Sequence, residues 1–273
     1  MAIAFSRGYV KAMIDKNKEI YTTASVVWHY KQLSRLQPAE KTILARFQDR
    51  LPTMKMLDIG IGGGRTTQHF APLAAEYTGI DYSTEMIAAC QQRFLHARQC
   101  MSLEVGDARN LSQFSDDAFD FILFSFNGID SVSHTDRLQV FQEIQRIGKP
   151  GSYFFFSSHN LQGIAREFEY KRQISLNPLK TYANLVMSTL LKLFNASITR
   201  DQLRTADYLI LKDEAHNFRL QTYYIRPKAQ IKQLAPHFND IEIYSWKRGL
   251  RILDPCELSA NSEMWLYYLC VID

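Results

Sequence analysis

The sequence is short of most features that would mark a specialised class. Its 273 residues include only four cysteines, Cys90, Cys100, Cys256 and Cys270, with no Cys-x-x-Cys pair and no Cys/His spacing suited to zinc. A disulfide framework and a metal site are therefore not expected, and the thiols read as free cysteines of a reducing compartment. Apolar runs such as FILF (121–124) and YFFF (153–156) fall far short of the ~20 residues that cross a bilayer. The opening MAIAFSRGYVKAMIDKNKEI lacks the continuous apolar core of a secretory signal. The expectation is a soluble, cytoplasmic chain with no membrane partner. Strong charge is missing too: a net charge of +4 and a pI near 8.8 are mildly basic, without the clustering of a dedicated nucleic-acid binder. A nucleic-acid partner is not expected, and nothing in the sequence speaks to oligomeric state. Glycine is scarce as well. There are twelve in all, and none lies between Gly8 and Gly60.

That scarcity makes one stretch stand out. In MLDIGIGGGRTTQHF (56–70), four glycines, Gly60, Gly62, Gly63 and Gly64, crowd between an apolar run and a helix-like one. Around them the chain alternates. MKMLDIG (54–60), YTGID (77–81), SLEVGDA (102–108), FDFILFSF (119–126) and SYFFFSS (152–158) read as strands. RTTQHFAPLAA (65–75), STEMIAACQQRFLHA (83–97) and DRLQVFQEIQRIG (136–148) read as the helices between them, Ser83 being an N-cap. RPKAQIKQLAPHF (226–238) is a further helix, and IEIYSW (241–246) and EMWLYYLCVI (263–272) are two closing strands. Such alternation implies an α/β fold with a parallel sheet covered by helices on both faces. Ligands then bind beyond the carboxyl ends of the strands, which points to Gly60, Asp81, Asp107, Ser125 and His159.

Two regions flank this core. Residues 1–50 read as a helical N-terminal segment, with Pro38 suited to a helix start. Residues 161–222 break the alternation. Seven Lys/Arg stand against three Asp/Glu over 161–205, and the stretch is read as an inserted helical lid over the strand ends. The core is then 51–160 with 223–273.

A dinucleotide fingerprint needs a third glycine where Arg65 stands, so a nicotinamide cofactor fits poorly. The spacing Asp58-x-Gly60-x-Gly62-x-Gly64, GID with Asp81, VGDARNL with Asp107, the strand FDFILFSFNGID and the turn IGKPGSYFFFSSHN together resemble class I S-adenosylmethionine-dependent methyltransferases. The resemblance covers about 40–160 and 223–273. It implies a Rossmann-like seven-stranded sheet, mostly parallel, closed by an antiparallel C-terminal strand. It also implies S-adenosyl-L-methionine as cofactor and S-adenosyl-L-homocysteine as product. Gly60, Gly62 and Gly64 would offer open backbone, and Asp58 would stand beside the cofactor amino group. Asp81 would hold the ribose and Tyr82 pack on the adenine. Asp107 with Ala108 would read the adenine edge, and Ser125 and Phe126 would lie near the methionine portion. Arg65 is read either as reaching the carboxylate or as exposed at a helix start.

For the acceptor, the strand-four end SFNG lacks the Asn/Asp-Pro-Pro-Tyr and Pro-Cys signatures of nucleobase methylation. A small-molecule acceptor methylated on N or O is the leading reading. Methylation of RNA or protein, or a non-catalytic S-adenosylmethionine-binding protein, are the alternatives. His159 is the candidate general base and Asn127 the candidate orienting group, with Asp130 beside it in a turn around Gly128. Tyr223 and Tyr224 are candidates of which an alternating strand can turn only one inward. His134 and His216 are weaker candidates. The N-terminal segment, with Tyr21, Trp28 and Tyr30, is expected to close over the cofactor.

Overall fold

The structure, a computed structural model, describes residues 17–95, 101–169 and 174–273, without the side chains of residues 215 and 216. Cys100, Lys171, Arg172 and the His216 side chain lie outside the described residues, as does the first third of the N-terminal segment.

Strands joined by crossover segments return in parallel. β1 (Lys55–Ile59), β2 (Glu76–Asp81), β3 (Met101–Val105), β4 (Phe119–Phe124) and β5 (Gly148–Asn160) run parallel in the order β3-β2-β1-β4-β5. β9 (Trp265–Ile272) lies antiparallel on β5, and β8 (Phe238–Ser245) antiparallel on β9. That is the seven-strand arrangement expected. The sheet nevertheless has nine strands. β5 outruns β4. Its pairing with β4 ends at Phe156, and His159 and Asn160 pair instead with β7 (Thr222–Ile225), whose other edge takes β6 (Tyr208–Leu211). The inserted stretch therefore contributes a strand besides the helices Leu161–Glu167, Pro178–Phe194 and Arg200–Thr205. YLIL is only four residues long, too short for its period to declare a strand.

Two apolar layers follow from the alternation along each strand. Leu57, Ile122, Phe154 and Phe156 face Val140, Phe141 and Ile144 of the helix His134–Ile147. Met56, Phe121, Leu123 and Phe155 face Ile43 and Phe47 of the helix Pro38–Phe47, with Phe70. The helix expected over 65–75 is a single turn, Thr67–Phe70. Pro72 has no N–H to carry the ladder further.

One cation ties the first of these layers to the strand ends. Arg137 is fully buried and pairs with Asp130, Nη1 to Oδ1 at 2.5 Å, both side chains being 0% exposed. Nη1 also reaches the Ile129 carbonyl at 3.2 Å, and Nη2 donates to Ser158 Oγ at 2.9 Å and Gln230 Oε1 at 2.5 Å. Arg137 shares the buried face of Val140, Phe141 and Ile144, a place where an arginine needs partners of its own. Removing one partner of a buried pair strands the other charge, at a cost of about 3–5 kcal/mol. Arg137→Met should therefore destabilise the fold by about that much in urea unfolding. The double change Arg137→Met with Asp130→Asn should recover most of the loss.

Candidate functional site

The glycine loop sits where β1 ends. The Gly60 and Ile61 amides both donate to the Ile80 carbonyl, at 2.8 and 3.2 Å, fastening the loop to β2. Gly60 (φ +67°) and Gly62 (φ +52°) are left-handed, which an L side chain adopts only under strain. Gly63, given no role by the sequence, has one here. A Cβ on it would lie 2.6 Å from the backbone nitrogen and Cα of Lys31, so the N-terminal segment seats directly on the loop. Gly64 is turned away from the ligand space. A Cβ there would strike Phe94 and Cys90 Sγ, so its bareness serves the packing of the helix Thr84–Arg93.

Above the strand ends lies a cavity of about 860 Å³ of atom-free space, its open mouth included. Gly60, Gly62, Asp81, Tyr82, Asp107 and Ala108 line one side, and Ser125 and Phe126 another. Asn17, Tyr21 and Tyr30 of the N-terminal segment complete the wall. No described residue of 161–222 lines this cavity, so the covering expected of the insertion is supplied by the N-terminus instead. Asn17 Nδ2 clasps the Ser131 and Gln221 carbonyls at 3.0 and 3.1 Å, and Tyr21 bonds the side chains of Ser131 and Tyr30. Trp28 stays 66% exposed and takes no part.

The carboxylates are held in different ways. Asp81 accepts the Gly62 amide on Oδ2 and the Ser83 amide on Oδ1, each at 2.9 Å, and its remaining lone pairs face the cavity wall. Burial raises its pKa, and the two amides temper the rise. Tyr82 OH is buried without a partner among the described residues. Burial would raise the Asp107 pKa, but Arg109 overrides it and holds the group low, Arg109 Nε reaching Oδ1 at 2.9 Å. Asp107 thus lies at the cavity wall as expected, two residues past the end of β3, but already engaged by a cation two residues on.

A second, smaller cavity shares Tyr30, Gly60, Ser125 and Phe126 with the first, and adds Asp58, Arg65 and Thr66. Arg65 is not exposed. It is 7% exposed and forks onto Glu40, at 2.5 and 2.7 Å, with the Phe126 ring 4.7 Å from its guanidinium carbon. Glu40, missed in the sequence, also accepts Ser125 Oγ and Tyr267 OH. Burial favours the neutral acid, but Arg65 with Ser125 and the Gln37 amide outweighs it and keeps the Glu40 pKa low. Its only sequence signal is its place in the first turn after Gln37, a capping box, and that signal does not reveal a buried charge. Asp58 Oδ2 accepts both Thr66 Oγ1 and Tyr77 OH, each at 2.6 Å. Burial pushes its pKa up to about 7 against these bonds and the nearby Arg65.

A third cluster gathers where β4 and β5 end. Phe126 (φ +57°) and Asn127 (φ +61°) are both left-handed, a conformation that costs about 1–3 kcal/mol for a bulky residue and marks sites held by their surroundings. The turn delivers Asn127 Nδ2 to within 3.3 Å of His159 Nε2. Asp130 Oδ2 accepts the His159 amide at 2.6 Å and faces Nδ1 at 2.7 Å. Asn127 and Asp130 therefore belong both to the turn and to a buried polar cluster. Tyr224 stands opposite His159 in the β5–β7 register, rings 4.8 Å apart, its hydroxyl given to Asp213 at 2.7 Å. Tyr223, one residue earlier, points to the other face and bonds His134 Nδ1 and Gln233 Nε2, at 2.8 and 2.9 Å. The alternation of a strand thus removes Tyr223 and His134 from the site, and neither is a bare surface residue. None of Asn127, His159, Tyr223 or Tyr224 lines the two cavities.

A family model described as a methyltransferase domain matches residues 56–151, the stretch from the glycine loop to the turn into β5. The match is confined to that stretch, about a third of the chain. It is 34% identical over 111 residues to phosphoethanolamine N-methyltransferase 2 of Caenorhabditis elegans, covering 40% of this chain and 24% of that protein. It is 32% identical over 105 residues to the ubiquinone/menaquinone biosynthesis C-methyltransferase of Geotalea daltonii, covering 37% and 43%. These matches span a quarter to under a half of the relatives' own length. In fold it is similar to the 1,6-didemethyltoxoflavin-N1-methyltransferase of Burkholderia thailandensis, solved with bound substrate and S-adenosylhomocysteine. The TM-score is 0.57 at 14% identity, covering 100% of this chain and 92% of that one.

The buried charged groups of the site are placed where pH can report them. Asp58 is held nearer neutrality when folded, so its ionisation opposes folding increasingly as pH rises from the ordinary carboxylate range through about 7. Asp58→Asn should leave stability unchanged near pH 4 and raise it by about 1–3 kcal/mol at pH 8. Denaturant melts at the two pH values check this.

Proposed function

We propose that this chain is a methyltransferase that uses S-adenosylmethionine and transfers the methyl group to an oxygen or nitrogen of a small acceptor. The observation that carries the reading is the pair of joined cavities. One has a ribose-type carboxylate (Asp81) and an aromatic wall (Tyr82), and the other a buried carboxylate near neutrality (Asp58). Asp81 offers its free lone pairs to two neighbouring hydroxyls, and Tyr82, lining the same cavity, offers a purine an aromatic surface. The unpartnered Tyr82 hydroxyl and the high pKa of Asp58 fit a ligand with a hydrogen-bonding edge and an ammonium group. Asp107 and Ala108 stand at the purine end, and Ser125 and Phe126 at the thioether end. Gly60 and Gly62 leave room for the ligand to cross the loop. Arg65, neutralised by Glu40, serves to hold the loop rather than to bind the ligand carboxylate.

Bound there, S-adenosylmethionine supplies an electrophilic methyl group. The chain's part is alignment and exclusion of water, which provide most of the rate in such a displacement. Tyr21 and Tyr30 close the cavity. His159 supplies the base. Asp130 takes the Nδ1 hydrogen bond, so Nε2 keeps its lone pair, and Asn127 donates to that nitrogen at 3.3 Å until an acceptor hydroxyl replaces it. Tyr224 supports the imidazole from the side. A base so placed favours a hydroxyl acceptor over an amine, which needs none.

Calorimetric titration tests the cofactor. S-adenosylmethionine and S-adenosylhomocysteine should bind with micromolar affinity and NADH should not; no binding of either adenosyl ligand would remove the reading. Asp81→Ala should weaken S-adenosylhomocysteine at least tenfold, about 1.4 kcal/mol. Affinity for S-adenosylmethionine should fall as pH drops below about 7, where Asp58 loses its charge, and Asp58→Asn should flatten that dependence. His159→Ala should lower S-adenosylhomocysteine formation with a hydroxyl acceptor about 10²–10⁴-fold, leaving S-adenosylhomocysteine binding unchanged.

A further inference from the structure

The inserted helix Pro178–Phe194 is apolar on two opposite sides. On one side Ser188 and Leu191 are buried, and Leu191 packs with Leu161, Ile164, Leu211, Phe218 and Tyr224. At 100° per residue, Leu179, Tyr182, Val186 and Leu193 fall within about 60° of one another, on the side turned away from that packing. They are 79%, 71%, 38% and 68% exposed. A helix seated on a globular domain ordinarily turns polar residues outward. Here the outward stripe runs about 21 Å at 1.5 Å per residue. Ile174 and Leu176, 70% and 107% exposed, lengthen it at the N-terminal end. The helix needs no partner to form. Asn177 caps it, accepting the Leu179 and Lys180 amides, and its inner side is already packed.

The charge on the helix itself is of one sign, and Lys and Arg outnumber acids in the helix that follows. The helix carries Lys180 and Lys192 and no acidic residue, and the short helix after it adds Arg200 and Arg204 against Asp201. A second copy docking by a two-fold axis would bring these cations face to face, which argues against self-association. An apolar stripe bordered by Lys and Arg matches a bilayer surface with anionic headgroups. The stripe enters the acyl boundary and the cations rest among the phosphates. We infer that the helix Pro178–Phe194 is a surface-binding element that docks this chain on an anionic phospholipid membrane. No helix among the described residues is long and apolar enough to cross a membrane, so the contact is peripheral. The inference rests on the outer surface of the insertion and is independent of which reaction the cavities support.

Co-sedimentation of the full chain with large vesicles tests it. One set is phosphatidylcholine with 40 mol% phosphatidylglycerol, and the other phosphatidylcholine alone. The chain should partition onto the anionic vesicles at low salt, at least tenfold more than onto neutral ones, and lose binding as salt is raised. Leu179→Glu with Leu193→Glu should reduce anionic-vesicle binding at least tenfold, with unchanged circular dichroism and unchanged S-adenosylhomocysteine binding. Lys180→Gln with Lys192→Gln, which keeps the apolar stripe, should lower it several-fold and weaken its salt dependence. Absence of binding to anionic vesicles at low salt would overturn the inference, as would binding indifferent to both variants. A concentration-dependent dimer in sedimentation velocity, abolished by the Leu→Glu pair, would overturn it in favour of a second copy.

Discussion

Two carboxylates, Glu40 and Asp58, are buried at the carboxyl ends of the parallel strands, and one guanidinium serves them unequally. Arg65 forks onto Glu40 and keeps it ionised, while Asp58 has only hydroxyl partners and the distant charge, and is pushed up to about 7. Much of the site hangs on this division. Glu40 gathers Arg65 from the glycine loop, Ser125 from the end of β4 and Tyr267 from β9, so one ion pair fixes the loop, the fourth strand and the antiparallel closure together. Burying such a pair is costly unless its geometry is good and its spare lone pairs are satisfied, and here both conditions hold. Asp58, left without a cation of its own, is the group whose charge a ligand ammonium would restore.

The glycine loop answers to three neighbours at once. Gly60 and Gly62 turn left-handed toward the cavity, Gly63 yields to the backbone of the N-terminal segment, and Gly64 yields to Phe94 and Cys90. The segment resting on Gly63 brings Asn17, Tyr21 and Tyr30 over the strand ends, so the loop and the cover form one assembly. The insertion, meanwhile, spends its sheet-forming capacity on β6. β6 pairs with β7 beside His159, where β5 outruns β4 and Asn127, Asp130 and His159 meet.

Sequence by itself determined the parallel sheet, its order of elements and the residues that end each strand. Those depend on local period and on crossover geometry, which a short window of chain encodes. Of the strand-end residues it named, Gly60, Asp81, Asp107 and Ser125 line the two cavities and His159 does not; Asp58, Gly62, Tyr82, Ala108 and Phe126, which the family resemblance added, line them too. Only the tertiary structure decided what depends on burial and on partners far away along the chain. Glu40 meets Arg65 across 25 positions, Gly64 yields to Phe94 and Cys90, and the alternation of β7 sends Tyr223 to His134 and Tyr224 to His159. Whether a charged residue faces water, a partner or a ligand is set by the segments folded over it. For Glu40, Arg65 and Arg137 those segments lie too far along the chain for any local pattern to register.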